Sequence, residues 1–280
     1  MIKPALQDDA FLADVESARS DNAFFLWWLG QSGFLIRWRD RFLLLDPYLS
    51  DSLTKKYAQT DKPHVRMTER VSAPEKLDFI NLVSSSHNHT DHLDAETLIP
   101  LLEKNPSAAL IIPEANREFV ANRLKCPPEF PIGLSDGESA TVNGFTFHGV
   151  PAAHEKIDRD EAGRCHYLGY VVQFGPWTIY HSGDTIRYEG MIEALEKFEI
   201  DVALLPINGA APERRVAGNL DGPEAALLAH TLGVRMVIPC HYEMFEFNTA
   251  SPDAFVATCK KLNQRHRVLR AGERWTSGEL

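Results

Sequence analysis

The sequence predicts an α/β fold in which strands pack in two layers between helices. Three observations predict it. Strand patterns open each half of the chain, and strand–helix alternation follows them. Composition is that of an ordinary globular protein, 44% apolar and 24% charged over 280 residues, long enough for a sizeable core. No Pro/Gly/Ser-rich linker, fixed-period repeat or low-complexity stretch divides the chain, so residues 1–280 are expected to form a single domain.

Aromatic and aliphatic runs at Phe24–Leu29, Phe34–Trp38 and Phe42–Asp46 read as a meander turned by Gly30–Gly33 and Arg39–Arg41. Residues 49–72 are polar and read as irregular. Phe79–Ser84 is a short buried-strand pattern. Asp94–Leu102 places Leu98, Leu101 and Leu102 on one helical face. Ala109–Ile112 reads as strand and Pro113–Leu124 as helix. Two hairpins follow: Ser139–Val142 with Phe145–Val150 across Asn143-Gly144, and Tyr167–Phe174 with Trp177–His181 across Gly175-Pro176. The remainder alternates: helix at Met191–Phe198, strand at Val202–Leu205, helix at Pro223–Leu232, strand at Met236–Pro239, helix at Pro252–Leu262, then short strands near Val268 and Trp275.

The formal net charge is −10. That disfavours a nucleic-acid partner, which calls for a basic face, and attachment to an anionic membrane. The polar, acidic segment Met1–Asn22 has no apolar core of a signal peptide, and the apolar run Ala23–Leu29 is too short to span a bilayer. Cys126, Cys165, Cys240 and Cys259 form no C-x-x-C pair, so a reduced, cytoplasmic setting with free thiols is expected.

The segment His87-Asn88-His89-Thr90-Asp91-His92 has the form H-x-H-x-D-H. Two histidines two apart on an extended segment point the same way. Asp91 and His92, at the start of a helix, offer donors at a second point nearby. Such a set suits two divalent ions, Zn²⁺ or Mn²⁺ with Fe²⁺ as a further option, rather than Ca²⁺. Three more donors stand where strands end: His154 in Val150–His154, Asp184 in His181–Asp184, and His241 in Ile238–Tyr242. Strand ends carrying loops are where sites collect.

From Phe24 to Trp275 the sequence resembles the metallo-β-lactamase-fold hydrolases. The resemblance is carried by Trp28–Phe34, Leu45–Tyr48, the histidine cluster, Tyr180–Asp184 and Val237–Tyr242. The last two, with Asp201–Pro206, look most like the branch that contains the L-ascorbate-6-phosphate lactonases, although the stretch Pro151–His154 is closer to the general hydrolase pattern. The resemblance implies a four-layer αββα sandwich with a metal-dependent hydrolase site at one edge of the sheets. It implies that His87, His89 and His154 hold a first metal, that Asp91, His92 and His241 hold a second, and that Asp184 bridges them. It also implies that Asp91 orients the attacking water and takes its proton. A water shared by two cations loses much of its pKa and supplies hydroxide at neutral pH.

Around this set, Asp46 reads as a turn in Asp-Pro, while the resemblance implies that it orients a ligand histidine; Asp94 reads as a helix N-cap or an imidazole acceptor, and His181 as a strand-end histidine with one hydrogen bond or as site support. Asp221 and Glu224 are spaced as a capping box. Asn208 is either a turn residue or a donor to substrate. Residues 51–70 hold Lys55, Lys56, Lys62, Arg66 and Arg70 against Asp51, Asp61 and Glu69, and Arg214 and Arg215 lie in another loop. These cations are expected to help bind a small anionic substrate. The expected reaction is hydrolysis of a small anionic ester, with a phosphorylated sugar-acid lactone favoured. The alternatives are a phosphodiesterase for small or cyclic diesters, a di-iron oxidoreductase, and a non-catalytic metal-binding protein. The alanine-rich helix Glu224–His230 leaves a homo-oligomer open.

Overall fold

The computed structural model describes residues 1–280. Helix α1 (Asp8–Ser17) precedes the meander β1 (Phe25–Gly30), β2 (Gly33–Trp38) and β3 (Arg41–Leu45). After the short helix α2 (Ser52–Tyr57) come β4 (Leu82–Ser84), α3 (Ala95–Lys104), β5 (Ala109–Pro113), α4 (Arg117–Leu124) and β6 (Ile132–Leu134). The second half runs β7 (Ser139–Val142), β8 (Phe145–Pro151), β9 (Leu168–Phe174), β10 (Trp177–His181), α5 (Met191–Leu195), β11 (Val202–Pro206), α6 (Gly222–Thr231), β12 (Met236–Cys240), α7 (Asp253–Leu262) and β13 (Arg274–Thr276).

The strands make two mixed sheets. One has seven strands in the order β13-β1-β2-β3-β4-β5-β6, the other six in the order β12-β11-β10-β9-β8-β7. Helices flank the sheets, so the α/β sandwich stands. Between the sheets, Phe24 meets Phe174, Trp177 and Trp275 edge-on, with ring centroids 5.3, 5.5 and 5.7 Å apart. The strands β1, β2, β4, β10, β11 and β12 are buried nearly end to end, which is why they read as continuous apolar runs rather than alternating ones. Strands β3–β6 run parallel, as do β10–β12, so their C-terminal ends gather loops at shared edges.

Several elements differ from the sequence reading for identifiable reasons. Helix α1 hides in an acidic stretch because only Phe11 and Val15, four apart, are buried in it. Helix α2 lies within the segment read as irregular and buries only Leu53. Strand β4 starts at Leu82 because side-chain amides bind the residues before it: Asn105 Oδ1 accepts from Ile80 N (2.8 Å) and Asn81 Oδ1 from Phe42 N (2.8 Å). The segment Pro113–Leu124 divides into a 3-10 turn at Glu114–Asn116 and α4. The three-residue edge strand β6 carries no pattern to read. Near Val268 there is only an isolated bridge, Val237 to His266. The alanines of α6 are spent on the core, since Ala225, Ala226 and Ala229 are buried while Leu227 faces solvent. Asp221 and Glu224 do form a capping box. No helix is long and apolar enough to cross a membrane.

Asn105 closes α3 and ties it to the chain before β4. Its Nδ2 donates to Leu77 O (2.6 Å) and Leu101 O (2.8 Å) while its Oδ1 receives Ile80 N. Asn105→Ala should destabilise the fold by about 2–4 kcal/mol, because it orphans several buried backbone groups at once. Denaturant melts report this directly, and an unchanged midpoint would refute it.

Candidate metal centre

The centre forms where strand ends of both sheets converge. The loop leaving β4 brings His87, His89, Asp91 and His92. The end of β8 brings His154, the end of β10 Asp184, and the end of β12 His241. All seven donors predicted from sequence come together. Ligand atoms of His87, His89 and His154 lie within 4.8 Å of one another, as do those of His87, His92 and Asp184, and those of Asp91, His92 and His241. The three sets overlap, so the donors form one continuous array. Asp184 Oδ2 is central, 3.2 Å from His241 Nε2, 3.4 Å from His92 Nε2 and 3.8 Å from His154 Nε2.

Hydrogen bonds behind the histidines fix which nitrogen faces inward. Asp46, at the end of β3, accepts from His92 Nδ1 at 2.6 Å. It also accepts from Ser86 N (2.8 Å) and from the Ser86 hydroxyl. With its proton given to Asp46, Ser86 Oγ can only accept from His87 Nδ1, 3.0 Å away. His154 Nδ1 donates to Gly218 O at 3.2 Å. Each ring therefore turns its Nε2 toward the array, as outer partners do at metal sites. Gly183 makes room for this network. Its φ is +59°, and a Cβ there would stand 2.6 Å from Ser86 Cβ.

A cation fits this chemistry. His87 Nε2, His92 Nε2 and Asp184 Oδ1 are buried without a hydrogen-bond partner, which is costly unless something else meets them. Burial, with the neighbouring histidines, pushes His87 well below the usual imidazole range, so it stands neutral with a free lone pair. Burial also lowers His89. For His92 burial acts the same way, but Asp184, Asp91 and Asp46 together outweigh it and raise the ring well above its ordinary value. Burial acts to raise Asp184, and His241 and His92 overcome it, holding the carboxyl well below its usual range. The acids thus demand positive charge at this spot.

Several residues belong to the site without having been singled out in the sequence. Ser86 is one. Gln31, fully buried in the β1–β2 turn, is another: its Nε2 lies 2.8 Å from Asp91 Oδ2 and 3.0 Å from His241 Nε2. Its backbone oxygen accepts from His241 N (2.9 Å) and from Trp28 Nε1 (2.9 Å), and the Trp28 ring stacks on Tyr242 at 4.3 Å. Gln31, Asp46 and His241 all hold positive φ, at 51°, 41° and 61°. Non-glycine residues in this region gather at functional sites.

The secondary candidates sort differently. Asp46 is the histidine partner, not merely a turn. Asp94 is the N-cap of α3, accepting from Glu96 N and from Thr97 Oγ1 (2.6 Å), and orients no imidazole. His181 is buried and donates from Nε2 to Ser32 O at 3.0 Å, supporting the β1–β2 turn rather than a ligand. Asn208 is buried away from the cavity. It accepts from Asn219 Nδ2 (3.0 Å) and donates to Asn248 Oδ1 (3.0 Å), and those two amides line the cavity instead. Arg214 spends its donors on Asn208 O, Thr249 O and Asn248 Oδ1, and Arg215 pairs with Asp61 at the surface (2.6 Å). Neither arginine lines the cavity, because adjacency to a strand end did not fix where the loop turned.

The cavity over the array measures about 530 Å³. Its walls carry Tyr57, His64, Phe119, Phe245 and Phe247, its cations are Lys56 and Arg123, and Asp91 and Asp184 lie at its floor. Of these acids Asp91 is the more open, with 17% of its side chain exposed against 4% for Asp184.

The sandwich and this convergence of histidines and aspartates define a class. The β-lactamase superfamily domain matches residues 26–241, and the chain belongs to that superfamily, within it to the UPF0173 metal-dependent hydrolases. A protein of that description from Myxococcus xanthus is 32% identical over 251 residues, covering 87% of this chain and 78% of its own. One from Rubrobacter xylanophilus is 31% identical over 226 residues, covering 79% and 81%. The structure of Igni18, a metallo hydrolase from Ignicoccus hospitalis, shares the fold at a TM-score of 0.66 and 23% identity, covering 91% of this chain and 98% of its own.

If Asp46 sets the inward-facing nitrogens, Asp46→Asn should leave the fold intact and weaken divalent-metal binding roughly 10–100-fold. Isothermal titration with Zn²⁺ measures this. Wild-type affinity in the variant would show that the carboxylate is not needed.

Proposed function

We propose that the chain is a metal-dependent hydrolase of a small anionic ester, with a lactone such as a phosphorylated sugar-acid lactone the favoured substrate. The observation that carries this reading is the unbroken array of five histidines and two aspartates at a cavity that Lys56 and Arg123 also line. In this reading His87, His89 and His154 would hold one divalent ion, Zn²⁺ or Mn²⁺, and Asp91, His92 and His241 a second, with Asp184 between them. When bound, such ions polarise an ester oxygen and acidify water.

The chain's own residues supply the rest. Asp91 faces the cavity, and the neighbouring histidines, His92 first, keep it ionised against the effect of burial. It is the carboxylate placed to take the proton of the attacking water. Arg123, on α4, donates from Nη1 to Asn88 O (2.7 Å) and Leu93 O (3.2 Å) and lies 4.4 Å from the Phe119 ring. Its remaining donors meet no protein acceptor, which leaves them for a substrate carboxylate or phosphate. Lys56 adds a second charge, and the amides of Asn88, Asn219 and Asn248 offer hydrogen bonds to hydroxyls. The volume lies within the range of small-molecule pockets, about 300–1,000 Å³, and suits one compact substrate rather than a polymer.

A panel of a phosphorylated lactone, an acyl lactone, a thioester and an aryl phosphodiester, each with Zn²⁺ and Mn²⁺, tests the reading. Lactone turnover supports it, and turnover of the phosphodiester alone would replace it with the phosphodiesterase reading. His89→Ala and Asp184→Ala should each lower kcat by at least about 100-fold and reduce bound metal. Activity surviving in both would overturn the mechanism.

Arg123→Ala should raise KM for the anionic substrate about tenfold or more, with kcat changed much less. An uncharged analogue should show no such rise. An equal effect on both substrates would remove Arg123 as the anion contact.

A further inference from the structure

The two halves of the array differ in one respect that the seven donors alone do not reveal. At the first position nothing of the protein donates into the inward nitrogen of His87, which stands without a partner. The half built from Asp91 and His241 is instead occupied by a side chain. Gln31 Nε2 stands 2.8 Å from Asp91 Oδ2 and 3.0 Å from His241 Nε2, within hydrogen-bond reach of two of the atoms that would bind a second cation. The amide donates to the Asp91 carboxylate, which can only accept, and stands against His241 Nε2. The Oε1 of the same amide is buried with no partner. The side chain therefore leaves its own oxygen unmet while its nitrogen occupies the place between Asp91 and His241. It cannot drift away easily. Gln31 is fully buried, its backbone oxygen is held by His241 N and Trp28 Nε1, and its φ of +51° fixes the direction in which the side chain leaves the turn.

We infer that Gln31 is a positioning residue that makes the two metal positions unequal, its amide competing for the Asp91–His241 position and leaving the His87–His89–His154 position to fill first. The inference rests on the metal reading above. It adds an order of filling, and it gives Gln31 a role distinct from those of the seven donors. A cation at the second position has to displace the Gln31 amide from the Asp91 carboxylate and from beside His241 Nε2, whereas no such group guards the first. The chain would then hold one ion firmly and a second in exchange with its surroundings.

Titration of the metal-free protein with Co²⁺, followed by visible absorption, and with Zn²⁺, followed by calorimetry, tests this without any substrate. Wild type should take up one equivalent at least about tenfold more tightly than the second, a difference of the size that outer partners exert at metal sites. Gln31→Ala removes the amide. Gln31→Asn keeps a residue that tolerates positive φ and draws the amide back by one methylene. Both should tighten the second step severalfold and leave the first unchanged, and near-UV circular dichroism selects the variants that keep the native packing. His89→Ala should weaken the first step. Failure of wild type to bind any divalent ion would overturn the metal reading itself. Two equal steps, or steps unaltered by replacement of Gln31, would overturn only the order of filling. A second step weakened in both variants would also overturn it, since Gln31 would then be a ligand rather than a competitor.

Discussion

The carboxylate of Asp46 is shut off from solvent and accepts from Ser86 N, the Ser86 hydroxyl and His92 Nδ1. A buried carboxylate is tolerated only when its oxygens are met in this way. These three bonds join the end of β3 to the loop that leaves β4, strands that already lie side by side in parallel. They also decide the orientation of two imidazoles, His92 directly and His87 through Ser86. Removing the carboxylate would leave both rings free to turn. The approach of Asp184 depends on the same bonds, because Gly183 packs against Ser86 so closely that only a residue without a side chain fits. One buried charge thus aligns donors from both sheets.

The electrostatics of the centre follow from that packing. Asp91, Asp184 and His92 are buried together, where burial by itself favours their neutral forms. Instead the two acids are held below their usual range and His92 above its own, because mutual attraction exceeds the cost of burial. A net charge of −10 spread over the chain does not describe this neighbourhood. Lys56 and Arg123 line the cavity beside Asp91 and Asp184. Local arrangement, not the sum, governs what the site attracts.

Much of this was legible in the sequence, and the limits have physical causes. The seven donors could be read because each stands at the end of an apolar strand run, and strand ends gather at one edge of a layered sheet. Asp46 was half legible, since Asp-Pro after a strand signals a turn and says nothing of a partner. Ser86 and Gln31 were hidden: a serine beside a histidine motif and a glutamine in a glycine-flanked turn look ordinary until the fold buries them against ligands. Arg214 and Arg215 were misplaced for the converse reason. They follow the strand β11, but backbone carbonyls and Asp61 claim their donors. Arg123, the cation that does line the cavity, sits on α4 with no local signal, brought there by packing between elements distant in sequence.

The walls of the cavity are tied to its floor through the chain itself. The segment after Asp46 becomes α2 and supplies Leu53, Lys56 and Tyr57. The segment after His241 supplies Phe245, Phe247 and Asn248. These two segments pack on each other in a small apolar cluster of Tyr48, Leu53, Met244 and Phe245, separate from the main core. Arg66 closes the junction, donating to Asp51 (2.7 Å), to Thr68 O (3.1 Å) and to Ser50 O. Because the cluster continues directly from Asp46 and His241, any change in its backbone is felt at the metal centre. Substrate shape and metal geometry are therefore coupled along these two segments, and also through α4, whose Arg123 lines the cavity and holds the ligand loop at Asn88 O and Leu93 O.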